Sequence, residues 1–373
     1  MHKNFLPISA LTALLSLATI AVCDNSNEIS QIPLAFLPTP LHKLTNLTNV
    51  LGGPEIFIKR DDLTGLALGG NKVRKLEFLL GDALKHDIDT VITAGAVQSN
   101  HCRQTAAAAA KLGLRCELLL NGPKPDMLSG NNLLDDLLGA TIHWRDEANQ
   151  PKNLDELAQL ISANGHKPYI IPYGGSNAFG VYGYMNAWYE FVMQQKDLAY
   201  QAYQKATSFA EYQSTHSPIT HIIVASCSGA TQVGLVLGAK ASGWTGKIIG
   251  ISVDYDQSRA AEYLQQHLDL ANATLTEFSK HSSNLKISVT AEDFIINYDY
   301  ANGYAVVGDL EKDAIKLMAQ TEGILLDPVY TGRAFGALVD MIKNGVISAD
   351  DTVLFWHTGG APAIFTHAAE LTK

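Results

Sequence analysis

Apolar residues fall in short runs along this chain, most of them too brief for a helix and followed by a polar or glycine-rich loop. Residues 55–60 alternate with the period of two expected of a strand, and 90–93, 115–120, 141–144, 220–225, 247–253 and 352–356 are β-rich runs of the buried kind. Between them the pattern predicts a helix opening at Lys72, an alanine-rich helix over 104–112 and another over 131–138. Strands alternating with helices predict an α/β fold with mostly parallel sheets. The alanines at 106–110 suit a helix pressed closely on a sheet. Residues 33–40 read as an extended, proline-punctuated arm. The stretch 186–217 carries Trp188, Tyr189, Phe191, Tyr200, Tyr203, Phe209 and Tyr212. Aromatics at that spacing predict one or two helices, packed in a core or at a subunit interface.

Composition narrows the class. A chain of 373 residues with 47% apolar and 17% charged residues can bury a sizeable core and needs no disorder. A formal net charge of −10, with no basic cluster against it, argues against nucleic acid and strongly anionic membranes as partners. The N-terminus differs from the rest. Lys3, the apolar stretch 5–22 and a polar tail after Cys23 have the layout of a secretory signal, with Ala21 and Cys23 at the small-residue positions of a cleavage site. This predicts a signal peptide over 1–23 and a periplasmic or exported protein; a mis-assigned start codon would leave it cytoplasmic. Lipidation at Cys23 is disfavoured by Val22, which is bulkier than the residue wanted before such a cysteine. Cys102, Cys116 and Cys227 then remain, a set that matches neither a disulfide framework nor a zinc site, and no metal is expected.

Four loops follow strands, where parallel sheets gather ligands. The first, 94–101, brings Ser99, Asn100 and His101 to a helix start, a seat for a carboxylate or phenolate as well as an ordinary cap. The second, 225–231, offers Cys227, Ser228, Gly229, Ala230 and Thr231, small residues whose amides can converge on one phosphate. It lacks the ending of a nucleotide P-loop and the spacing of a dinucleotide fingerprint. The third presents Tyr330 from a proline-containing turn, able to lie flat on an aromatic ring, and the fourth places Thr358 at a strand end. Lys72 follows Gly69-Gly70-Asn71 on a tight turn, where a desolvated amine could form a Schiff base and later shuttle a proton. A Schiff-base lysine, a monophosphate cradle, an amide for a phenolate, a stacking tyrosine and a hydroxyl for a pyridine nitrogen together describe pyridoxal phosphate.

The motifs Ile58-Lys59-Arg60-Asp61-Asp62-Leu63-Thr64, Gly69-Gly70-Asn71-Lys72-Val73-Arg74-Lys75-Leu76-Glu77, Gln98-Ser99-Asn100-His101, Gly323-Ile324-Leu325-Leu326-Asp327-Pro328-Val329-Tyr330-Thr331-Gly332 and His357-Thr358-Gly359-Gly360-Ala361-Pro362 resemble one family. It is the D-cysteine desulfhydrase and 1-aminocyclopropane-1-carboxylate (ACC) deaminase family, and the similarity runs from about residue 30 to the C-terminus. The resemblance implies a tryptophan synthase β-like fold of type II, with two open, twisted, mostly parallel sheets flanked by helices. It further implies a large cofactor-binding domain from 28–72 and 184–373, a small domain from 73–183, and a homodimer. Carried over by position, Lys72 would be the Schiff-base lysine, Asn100 the partner of the phenolic oxygen, 226–231 the phosphate loop and Tyr330 the stacking ring. Ser99 and His101 would meet the substrate carboxylate or assist proton transfer, Tyr304 would approach the substrate, and Thr358 would bond the pyridine nitrogen. The loop departs from relatives in Cys227 and shifted glycines, and the aromatic segment before it looks longer.

One position discriminates among reactions. ACC deaminases resemble Tyr-Glu-Gly at the stacking tyrosine, whereas here Thr331 follows Tyr330. Neutral hydroxyls stabilise a pyridinium far less than a carboxylate does. The weaker electron sink suits β-elimination of a thiolate, so D-cysteine desulfhydration to pyruvate, ammonia and hydrogen sulfide is expected. ACC deamination, racemisation on the same fold, and a binding protein that has lost turnover are the other readings.

Overall fold

The computed structural model describes residues 29–206, 218–281 and 287–372. The chain begins with β1 (Leu41–Lys43), α1 (Thr45–Leu51), β2 (Glu55–Arg60) and α2 (Lys72–Ala83). It continues through β3 (Thr90–Ala96), α3 (Asn100–Leu112), β4 (Arg115–Asn121), α4 (Gly130–Leu137), β5 (Thr141–Trp144), α5 (Leu154–Ala163) and β6 (Pro168–Ile170). Then follow α6 (Ala178–Lys205), β7 (His221–Ser226), α7 (Ala230–Ser242), β8 (Lys247–Ser252), α8 (Ala260–Ser279), β9 (Ile295–Asn297), α9 (Asp309–Glu322), α10 (Thr331–Lys343) and β10 (Thr352–His357).

Two sheets organise these elements. One has the order β1-β2-β10-β7-β8-β9 and the other β5-β4-β3-β6. Every pairing is parallel except β1 with β2. Alternation along the strands explains why both faces of the larger sheet are covered. Ile56, Ile58, Ile223, Val353 and Phe355 point into a core shared with α1, α9 and α10. Their neighbours Phe57, Ile222, Val224, Leu354 and Trp356 point the other way, against α6 and α7. The smaller sheet is likewise covered, by α2 and α3 on one face and by α5 on the other. Ala106, Ala107, Ala108 and Ala109 are all buried on α3, as the close helix–sheet approach requires.

The aromatic segment forms one helix, α6, which starts earlier than its aromatics suggest. Trp188 and Phe191 are fully buried and stack edge-on to Trp244 and Trp356 within the same chain, while Tyr189 and Tyr200 are exposed. The expected continuation to 217 beyond residue 206 and the expected signal peptide over 1–23 lie outside the described residues. Among the described residues no helix is long and apolar enough to cross a membrane.

A buried charge cluster locks α2 to the larger sheet. Asp61, at the end of β2, accepts from Arg74, Thr39, Tyr184 and Trp356 at 2.6–2.9 Å. Burial alone would raise its pKa, but Arg74 and Lys59 outweigh that and hold it at about 2. Glu190 on α6 completes the cluster, with both Arg74 and Lys59 donating to it. Removing one member of such a group costs about 3–5 kcal/mol, because it strands the others as unpaired charges.

Candidate active site

Loops leaving the carboxyl ends of both sheets meet around a cavity of about 270 Å³. β2 and β10 end together at Arg60 and His357, β7 and β8 at Ser226 and Ser252, β3 and β4 at Ala96 and Asn121. That convergence places residues far apart in sequence on one wall.

Lys72 opens α2 beside the cavity because the turn before it is built of bare backbone. Gly70 has φ +123, and a Cβ there would sit 2.6 Å from Gln104 Nε2. The Asn71 amide donates to the Thr358 carbonyl at 2.9 Å, tying the turn to the end of β10. Lys72 Nζ lies 3.4 Å from the Gly174 carbonyl oxygen, and Lys75 Nζ lies 3.2 Å from the same atom. Among the described residues neither amine has a carboxylate partner. Burial lowers the pKa of both, and repulsion from Lys72 pushes Lys75 further down. His101 is held neutral, with a pKa well below the ordinary imidazole value, by burial first and then by the two lysines. The basic run of α2 is therefore no solvated face: Arg74 and Lys75 are 2% and 1% exposed.

Hydroxyl orientations around the second loop can be read from their partners. Ser176 donates to Ser228 Oγ at 2.8 Å, and Asn71 Nδ2 donates to Thr231 Oγ1 at 3.1 Å. Each loop hydroxyl thus accepts from the protein and keeps its own proton to donate. Gly229, at φ +87, caps α7, whose first-turn amides have no intrahelical acceptor. Gly174 closes over the loop so tightly that a Cβ would lie 2.2 Å from Ser228 Oγ. Two donor hydroxyls, a helix N-terminus and two nearby amines make a seat for an anion. A monophosphate fits that donor set, and Lys72 adjoins it. Cys227 also lines the cavity, and burial pushes its thiol up to about 11.

Ser99 caps α3 and lines the cavity as well, accepting from Cys102 N at 3.1 Å. The cap uses only the oxygen, so the hydroxyl proton of Ser99 stays available to the cavity. On the opposite wall the Tyr304 and Tyr330 hydroxyls lie 3.0 Å apart. Burial raises both phenol pKa values, so both stay protonated at neutral pH. Tyr330 is held by Asp327, which accepts from the backbone amides of Val329, Tyr330 and Thr331 at 2.8–2.9 Å. The Thr331 hydroxyl donates to the same carboxylate at 2.7 Å and is 1% exposed, so it does not line the cavity. Thr358 does line it.

Of the residues singled out from sequence, Lys72, Ser99, Asn100, His101, Cys227, Ser228, Gly229, Thr231, Tyr304, Tyr330 and Thr358 line this one cavity. Ala230 does not; it is buried as the first residue of α7 and offers only backbone. Sequence reasoning missed the loop after β6, where Tyr173 and Gly174 close the cavity, and also Asn71 and Asp254. The Pro-Tyr-Gly-Gly sequence after a short apolar run was a legible sign of that loop.

Residues 32–359 match the family described as pyridoxal-phosphate dependent enzyme. The chain belongs to that family. Two D-cysteine desulfhydrases from strains of Klebsiella pneumoniae are each 41% identical to it over 354 residues, covering 93% of this chain and 99% of theirs. A solved ACC deaminase homologue is 33% identical with a TM-score of 0.73, covering 100% of this chain and 99% of that one. A threonine deaminase from T.th. and a pyridoxal 5'-phosphate-dependent aspartate racemase share the fold, at 17% and 15% identity and a TM-score of 0.57. They cover 86% of this chain and 92% and 90% of their own lengths. Membership in a pyridoxal-phosphate family agrees with the anion seat beside Lys72, and the two-sheet α/β architecture is the type II fold of these enzymes.

Proposed function

We propose that this enzyme is a D-cysteine desulfhydrase, converting D-cysteine and water to pyruvate, ammonia and hydrogen sulfide. The observation that carries the reading is 41% identity to two D-cysteine desulfhydrases across 93% of the chain. The cavity supports it residue by residue. Lys72 would hold the cofactor, with Ser228, Thr231 and the α7 amides on its phosphate, Asn100 on its phenolic oxygen, Tyr330 against its ring and Thr358 at its pyridine nitrogen. When bound, pyridoxal phosphate supplies an electron sink for negative charge at an amino-acid Cα.

The protein's own groups supply the rest. Ser99 Oγ and the first amides of α3 can donate to the substrate carboxylate. Burial lowers the pKa of the Lys72 amine, which eases its taking the proton from Cα. Burial keeps His101 neutral, so it would meet the substrate carboxylate or assist proton transfer through a neutral ring nitrogen, not through a charge. The Tyr304–Tyr330 hydroxyl pair is protonated and can pass a proton to the departing sulfur. With Thr331 committed to Asp327, the one carboxylate lining the cavity among the described residues is Asp254, which is exposed.

The structural similarity to an ACC deaminase homologue favours ACC deamination as the second reading. A panel of amino acids incubated with purified, cofactor-loaded enzyme separates the two. Sulfide and pyruvate from D-cysteine support the proposal; faster formation of 2-oxobutyrate from ACC refutes it. The apolar stretch 5–22 supports export through a leader, tested by N-terminal sequencing of the native protein. Assembly as a homodimer is part of the same reading and is tested by sedimentation.

A further inference from the structure

Behind Asn100 lies a buried amide chain whose orientation follows from one arginine. Arg103, 0% exposed on α3, can only donate, and its Nε lies 2.8 Å from Asn131 Oδ1. That contact fixes which end of the Asn131 amide is oxygen. Asn131, also 0% exposed, must then offer its NH₂ group on the other side. There it donates to Asn100 Oδ1 and to the Gln98 carbonyl, both at 2.9 Å. Asn100 is thereby oriented in turn: its oxygen faces Asn131 and its NH₂ group is left to donate into the cavity. Gln98 clamps the arrangement, accepting from Asn131 N at 2.8 Å and donating to the Ser129 carbonyl at 3.0 Å. The remaining Arg103 donors reach the carbonyl oxygens of Ala67 and Gly69, in the loop leading to Lys72. One guanidinium therefore ties the lysine turn to the asparagine loop.

We infer that Asn131 is a positioning residue, set by Arg103, that forces Asn100 to present a donor rather than an acceptor to the cofactor's phenolic oxygen. This rests on the reading of Asn100 given above. The polarity matters because a carbonyl oxygen turned toward a phenolate would repel it, whereas an N–H stabilises its charge. Without Asn131 the Asn100 amide has no internal reason to choose one face.

The test is the substitution Asn131→Asp, beside Asn100→Ala as reference. A carboxylate at 131 still accepts from Arg103, which balances its charge, but it cannot donate to Asn100 and draws the NH₂ group of Asn100 toward itself. The readouts are the cofactor dissociation constant, the pH midpoint of the visible absorption band of the loaded protein, and the melting temperature without cofactor. N131D is expected to bind cofactor about tenfold or more weakly, to shift the band's pH midpoint in the same direction as N100A, and to melt somewhat lower, because the Gln98 carbonyl loses its donor too. Wild-type affinity and midpoint in N131D, with both altered in N100A, overturn the relay alone. An unaltered N100A overturns the reading of Asn100 and the relay with it. Should N131D not fold, asparagine-selective ¹⁵N spectra of the wild-type protein decide. The relay requires the Asn100 side-chain protons to shift on cofactor loading while those of Asn131 stay protected from exchange; protected Asn100 protons that do not respond contradict it.

Discussion

Replacing Arg333 by methionine should damage stability and catalysis through one contact set. The Arg333 guanidinium and the Glu311 carboxylate are both 0% exposed, and their pair is 2.7 Å long. The same guanidinium donates to the carbonyls of Val253, Gly303 and Val306 at 2.6–2.9 Å and to Asn302 Oδ1. The acceptors on Asn302, Gly303 and Val306 span the turn that carries Tyr304, and Val253 follows β8. That turn is strained: Gly303 has φ +102, and Ala305, which has a side chain, has φ +58. A non-glycine residue there costs roughly 1–2 kcal/mol, and the conformation persists because Arg333 holds it from the core side. R333M leaves Glu311 as a buried unpaired charge, a loss of about 3–5 kcal/mol. A typical reserve of roughly 5–15 kcal/mol keeps most molecules folded. The double variant R333M/E311Q removes the stranded charge and should recover much of the stability, yet the Tyr304 turn stays unpinned. Urea unfolding gives the stability, and sulfide release from D-cysteine gives kcat and KM. Stability should return in part in the double variant, since the carbonyls that Arg333 served still lack a donor, while kcat/KM stays about tenfold or more below wild type. If kcat/KM returns with stability, or never falls in R333M, the pinning argument is wrong.

Three further outcomes follow from the same geometry. Asp135 on α4 is fully buried with neither oxygen hydrogen-bonded, and burial, opposed by Arg103, raises its pKa to about 8. The folded state therefore holds a proton that the unfolded chain loses near pH 4, and stability falls as pH rises from about 4 to about 8. At ~1.4 kcal/mol per unit the loss is on the order of 5 kcal/mol; Asp135→Asn should flatten the stability–pH curve over that range, and an unchanged slope would show the carboxyl to be ionised already. Gly174→Ala should weaken cofactor binding, since the new Cβ would lie 2.2 Å from Ser228 Oγ and 3.4 Å from Lys72 Nζ at a φ of +62. Titrating the variant with cofactor checks this, and wild-type affinity would count against the closed loop. Lys72→Ala should lower kcat by on the order of 10²–10⁴ even with cofactor in excess, because Lys75 borders Gly174 but does not line the cavity; near-wild-type turnover would show that Lys75 substitutes.

The alternation of strands and helices was legible because buried parallel strands leave β-branched runs such as 90–93 and 352–356. Three of the four expected loops do follow strands, β3, β7 and β10; the fourth, which carries Tyr330, instead joins α9 to α10, its apolar run at 324–326 forming no strand. β6 went unseen because it is three residues long, begins with proline and is only half-buried. With it went the loop that sets Gly174 against both lysines. The burial of Arg74 and Lys75 was equally hidden. Their partners, Glu190 and Gly174, lie about a hundred residues away, and a basic run on a helix ordinarily faces water. Thr331, beside Tyr330 in sequence, suggests a hydroxyl that faces the cofactor. The sequence already holds the reason it does not, an Asp327 four residues earlier that can collect the amides and hydroxyl of its own turn.

Two buried amines share the Gly174 carbonyl, and only one of them should carry the cofactor. Loading the protein with pyridoxal phosphate, reducing it with borohydride and mapping the peptides reads this directly. The pyridoxyl group should be found on Lys72 and not on Lys75; label on Lys75, or on neither, would contradict the chemistry assigned to this cavity.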